Sequence, residues 1–249
     1  MPIVRILLVL LALASPALAQ DGARDAAAAL TAEQAFRVYV EGVTKNGGRP
    51  DLIRPEVAAL LGRVFDLGAL NALPPAQASD LPWLIDWLLA ANATNKLLML
   101  YGAKPGPQPD FAAVQRNMTE YEDQYAAMMN FLIRFQARIA VSMNMFMADL
   151  PPEQRTRVRE EGVARARSSA AEMIGSAIGA VILSGGKPAN ARLVAAAIRD
   201  TREVSANFFL PQDRARMIEQ LAGLAKRVPD ETVRSDLAAF TAALRAVKV

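Results

Sequence analysis

Methionine is the residue type whose placement points to a definite chemistry. Ten methionines occur in 249 residues, and Met118, Met128, Met129, Met143, Met145 and Met147 crowd into one stretch. Thioethers are soft donors that select Cu(I). On a helix only Met143 and Met147 share a face, while Met145 points nearly opposite. Those two are therefore the candidate ligands for Cu(I) or Ag(I). Methionine is also a common core filler and suits adaptable binding surfaces, and that reading is the stronger one here.

Carboxylates are the second group able to do chemistry. Glu120, Glu122 and Asp123 cluster, as do Glu160 and Glu161. Acid–base work on a glycoside needs two carboxylates set apart across a cleft. On arginine-rich helices such clusters read instead as solvated or ion-paired surface. Glu172 interrupts an apolar run, and an antiparallel register would bring it near Asn130 and Arg134 as a structural ion pair.

The absences are more decisive. The chain contains no histidine and no cysteine, which removes Ser-His-Asp and Cys-His catalysis and the usual zinc, haem and iron–sulfur ligand sets. Ser184-Gly185-Gly186-Lys187 has the Ser-x-x-Lys spacing of serine penicillin-binding enzymes, with Ser205-Ala206-Asn207 after it. The serine falls at a helix end, no Lys-Thr-Gly follows and no sheet is expected, so a glycine C-cap is the better account. Gly186-Lys187 fails as a phosphate loop, because Val181 stands at the first glycine position and Pro188 replaces the Ser or Thr. No catalytic residue, resident metal or cofactor is assigned.

The elements that would carry these residues read as helices. Alanine and leucine dominate and alternating β-branched runs are absent, which predicts an all-α, multi-helix fold. Residues 1–19 stand apart: Arg5, an apolar run from Ile6 to Ala14, and Ala17-Leu18-Ala19 form the pattern of a cleaved signal peptide. That run is about nine residues where a spanning helix needs roughly twenty, so no anchor is expected after cleavage. No cysteine marks a lipid attachment. The expected location is the bacterial periplasm, with secretion beyond it left open. Cleavage leaves a net charge of +2, too small a field to predict nucleic-acid binding.

A first helical region spans residues 20–104. Thr31-Ala32-Glu33-Gln34 is a capping box opening a helix that Gly47-Gly48 closes. Pro55 starts a second helix reaching about Ala72, and Asp80 caps a third through Leu100-Tyr101. Asp86, Asn92, Asn95 and Lys96 would be costly in lipid, so the third helix is expected to be buried or half-buried, with membrane-surface contact left open. Lys104-Pro105-Gly106-Pro107-Gln108-Pro109 is a linker.

Beyond it, Phe111, Val114, Met118, Tyr121, Tyr125, Met128, Leu132, Phe135, Ile139, Ser142 and Phe146 keep a 3–4 spacing. That register predicts one coiled-coil-like helix of about forty residues, roughly 60 Å long. Leu150-Pro151-Pro152 reverses the chain, and a second helix from about Glu153 to Leu183 carries small residues that admit a close neighbour. Gly175 and Gly179 belong to that face and read as soluble close packing rather than lipid pairing. Residues 110–186 are thus expected to form a long antiparallel helical hairpin, about 110–184. Residues 187–249 form three short helices, near 189–206, 212–227 and 230–247.

Leu30-Thr31-Ala32-Glu33-Gln34 resembles the Leu-Thr-x-x-Gln signature of the Spy and CpxP group of periplasmic helical stress chaperones, and Leu150-Pro151-Pro152-Glu153-Gln154 is a near variant. The likeness implies a helical surface that cradles unfolded chains without ATP. The preferred reading is an exported, non-catalytic helical protein that binds another protein, a fixed envelope partner or chaperone-like clients, through its hairpin. Met118, Met128, Met129, Phe135 and Phe146 are its partner-binding candidates, and self-association would use the same stripe. Two alternatives remain: a Cu(I)/Ag(I)-binding protein, and a carboxylate-dependent hydrolase of envelope polysaccharide.

Overall fold

The computed structural model describes residues 20–100, 112, 116, 119–183, 186–224 and 227–247. Among these the chain is all-α, with no strand. The helices are α1 (Gln20–Lys45), α2 (Pro55–Val64), α3 (Leu67–Ala72), α4 (Leu81–Leu100), α5 (Glu122–Asp149), α6 (Arg157–Ala177), α7 (Pro188–Asp200), α8 (Arg202–Phe208), α9 (Pro211–Leu224) and α10 (Glu231–Ala246). Short 3₁₀ turns cover Ala78–Asp80 and Pro152–Gln154, and a π-turn, Ile178–Ile182, ends α6. The signal pattern at 1–19, the linker and Phe111, Val114 and Met118 lie outside the described residues.

Two compact units form. One comprises Gln20–Leu73 with Trp83–Leu132; the other comprises Pro74–Pro82 with the chain from Ile133 onward. In the first, α1 packs on α2. The indole of Trp87 is fully buried and donates to the Val64 carbonyl at 2.7 Å, and the Phe131 ring lies 5.5 Å from it and 5.8 Å from Phe65. Tyr125 donates to the Leu98 carbonyl at 2.7 Å, and burial pushes its phenol well above the ordinary value.

In the second unit α10 packs against α7, α8 and α9, with Val194, Ile198, Phe208 and Phe240 in the core. Asp80, itself buried, accepts from its own turn at the Gln77 backbone amide, 2.9 Å away, and from Arg138 of α5 at 3.2 Å.

Several helix boundaries differ from those the sequence suggests. Thr31 starts nothing: α1 begins at Gln20, and the Thr31 hydroxyl donates to the Ala27 carbonyl in mid-helix. The alanines from Ala23 to Ala29 are strong helix formers that carry the helix through the capping pattern. Its other end is as expected, since Gly47 takes φ 72° and Gly48 donates back to the Val43 carbonyl. The helix from Pro55 breaks at Phe65, because the Asp66 side chain caps the Ala69 amide at 2.8 Å and opens α3. The expected helix near 189–206 likewise divides at Thr201, whose hydroxyl turns back to the Ala197 carbonyl. Thr156 rather than Glu153 caps α6.

Candidate partner-binding surface

The methionine-bearing helix is where the sequence placed its site. On α5 the residues from Tyr125 to Met143 are buried on almost every side. Tyr125, Met128, Leu132, Phe135, Ile139 and Ser142 follow the expected stripe, but Met129, Phe131, Ile133, Ala137 and Ala140 are buried as well. A helix apolar all round belongs inside a fold rather than in a two-helix seam, so the stripe is covered within the single chain. Met128, Met129 and Phe135 are core residues here. Of the six methionines, Met118 lies outside the described residues, Met143 is buried, Met147 is half-buried and Met145 is exposed.

Exposure returns where α5 ends. Met145 is 41 % exposed and Phe146 and Met147 are half-exposed beside it; Val158, in the first turn of α6, is 48 % exposed. All four lie within two turns of the Pro151-Pro152 reversal. Arg155 holds that reversal by donating to the carbonyls of Leu150 and Ala148, both at 3.0 Å, and Arg159 donates to Gln154 at 2.7 Å. Arg157, paired with Glu161 at 2.7 Å, leaves its charge in solvent. The turn is thus flanked by apolar side chains left partly in solvent and by exposed charges of both signs, among them Asp149, Glu153, Arg157 and Glu160. Val38 and Ile53 are more exposed still; single exposed apolar side chains are ordinary on a protein surface.

Arg167 donates to Asn144 at 3.3 Å, and Ile133 and Ala140 line a small void with Ala170 and Ile174. The small-residue face of α6 also meets α9, where a Cβ on Gly175 would sit 3.4 Å from Gln220. Glu172 is exposed, and Arg134 pairs with Asp200 at 2.7 Å instead, so the expected Glu172–Arg134 pair is not formed. The cause is the proximity of α7's C-terminal carboxylate. Partial burial raises the Asp200 pKa, but hydrogen bonds from Arg134 and Arg199 outweigh that and hold it below the usual carboxylate range. Arg199 reaches Asp236 as well, at 3.1 Å.

The carboxylates suspected of catalysis are dispersed. Glu120 pairs with Arg49, Glu161 pairs with Arg157, and Glu160 is exposed. Among the described residues no group of three or more acidic, histidine or cysteine side chains is placed to hold a metal. Ser184 and Gly185 lie outside the described residues, Lys187 precedes the first turn of α7, and Ser205 is buried on α8. No described helix is long and apolar enough to cross a membrane. Comparison with known proteins finds no matching family model, no matching curated protein and no matching solved structure.

Proposed function

We propose that this is an exported, non-catalytic helical protein that binds another protein, and that it does so at the end of the α5–α6 pair, read as the tip of a helical hairpin. One observation carries the reading: Met145 and Val158 are exposed, and Phe146 and Met147 half-exposed, within two helical turns of a turn whose backbone is held by Arg155 and Arg159. Methionine and phenylalanine there suit an adaptable contact, and the rigid turn lowers the entropy cost of making it. Export rests on the sequence pattern of residues 1–19 and the periplasm on the same ground.

The test is site-specific photocrosslinking in cells from Met145 and Val158, with exposed Ala127 of α5 as the control. A defined protein adduct from the first two positions and none from Ala127 is expected. Adducts found only outside residues 110–184 would overturn the assignment.

A further inference from the structure

A groove of about 240 Å³ runs between α9 and α10. On α10, Arg234, Ala238, Thr241, Ala242 and Arg245 fall at helical spacing and form one stripe along it. From Arg234 to Arg245 the stripe is about 16 Å long at 1.5 Å per residue. Leu221 and Leu237 make the buried floor, while Ala238 and Ala242 are exposed walls.

Charge is arranged to match. Among the described residues the charged side chains lining the groove are the two arginines, one near each end. Arg234 is fixed by donating to the carbonyls of Val228 and Pro229, at 2.9 and 2.6 Å. Arg245, in the last turn of α10, is exposed. Of the acids on this helix and its cap, Asp230 caps Val233 and pairs with Arg192, Asp236 pairs with Arg199, and Glu231 stands exposed one turn before Arg234, so Arg245 carries the less screened of the two charges.

The alanine walls supply no bulky anchor, so the occupant must bring one. Small residues along about three helical turns let another helix approach to the usual interaxial distance of about 8–10 Å. The volume is below the ~300–1,000 Å³ typical of small-molecule clefts. We infer that the α9–α10 groove receives an acidic amphipathic helix of a partner protein, with bulky apolar side chains on the alanine walls and carboxylates about 16 Å apart meeting Arg234 and Arg245. This rests on the protein-binding reading and adds a second surface to it.

The probe is a stapled helical peptide of about five turns with leucines on one face and glutamates eleven residues apart, measured by fluorescence anisotropy against the mature chain. A twin with lysines replacing the glutamates is the control. The glutamate peptide is expected to bind at least about tenfold tighter, since like charges across an interface are penalised. Ala238→Trp, which fills the groove, abolishes binding, and Arg245→Glu, which leaves one arginine and one carboxylate at the two ends, removes the preference between the two peptides. Both positions are exposed, and circular dichroism verifies the fold of each variant.

Equal affinity for the twins, binding indifferent to Ala238→Trp, no binding, or occupation of the groove by decanoate instead would each overturn the inference. A partner captured from Met145 and Val158 but never from a crosslinker at Ala242 sinks the groove alone. Capture from none of these positions sinks the protein-binding reading itself.

Discussion

Single residues in this protein take their roles from what surrounds them, and two glycines show it. A Cβ on Gly22 would lie 2.6 Å from the ring of Trp83, which is itself buried; a Cβ on Gly42 meets nothing within 4 Å. Gly22→Ala is therefore expected to lower stability by about 1–3 kcal/mol through overpacking. Gly42→Ala, exposed within α1, should raise it by about 0.5–1 kcal/mol through helix propensity and a less free unfolded chain. Urea unfolding of both variants checks the signs, and a stabilised Gly22→Ala would mean that the ring packs more loosely than described. Met143 and Met147 pose a different question. With Met143 in the core, the double change to leucine should cost less than about 1.5 kcal/mol for the volume-conserving buried swap. Cu(I) competition titrations of wild type and double variant are expected to be the same; tight copper lost in the variant would give these two thioethers a ligand role.

Helices and their ends decide more than the apolar stripes do. Asp66 caps the six-residue helix α3, and Asp66→Ala should cost about 1 kcal/mol, read from the shift in the denaturant midpoint. Acid should loosen other ends. The Asp230 carboxylate is held below its ordinary pKa by the Val233 amide and by Arg192, and Asp200 by Arg134 and Arg199 against the opposing effect of burial. Both contributions are complete above the unfolded carboxylate value near ~3.9 and fade as pH falls through the lower folded values. Asp200→Asn and Asp230→Asn should flatten that acid limb; unchanged steepness in both would assign it to other groups.

The sequence made the helical class plain, along with the positions of Pro55, Pro188 and Pro211 at helix starts and Gly47 at a helix end, because these are local backbone effects. It also placed the buried stripe of α5 from Tyr125 to Ser142. It did not show that Met129, Phe131 and Ile133 are buried on the other sides, since periodicity tells which residues align and not how many neighbours a helix has. Thr31 misled because its capping pattern is equally at home in mid-helix, where the hydroxyl returns to the carbonyl one turn back. The α9–α10 groove was hidden for a related reason: alanine reads as filler in sequence, and only the pairing of two helices turns Ala238 and Ala242 into walls.

At the scale of the whole molecule, the order of segments matters. Pro74–Pro82 belongs to the unit formed mainly by residues beyond Ile133, and the Asp80–Arg138 pair closes a loop across 58 positions. Such closure is entropically paid before it is rewarded, so this unit completes only after most of the chain is present. If export proceeds as the first residues suggest, Edman sequencing of the periplasmic protein should begin at Gln20, or prove blocked there by cyclisation of that glutamine; an intact Met1 would remove the basis for the location. The two tryptophans, Trp83 and Trp87, are the only ones in the chain, are both buried, and both belong to the unit that includes α1. Intrinsic fluorescence is therefore a private optical channel to that unit, whereas far-ultraviolet dichroism sums the helices of both. Because α5 contributes residues to each unit without a break, the two signals should fall together on heating; a red shift in emission that precedes the loss of ellipticity would mean that one half of the molecule can melt while the other still holds its shape.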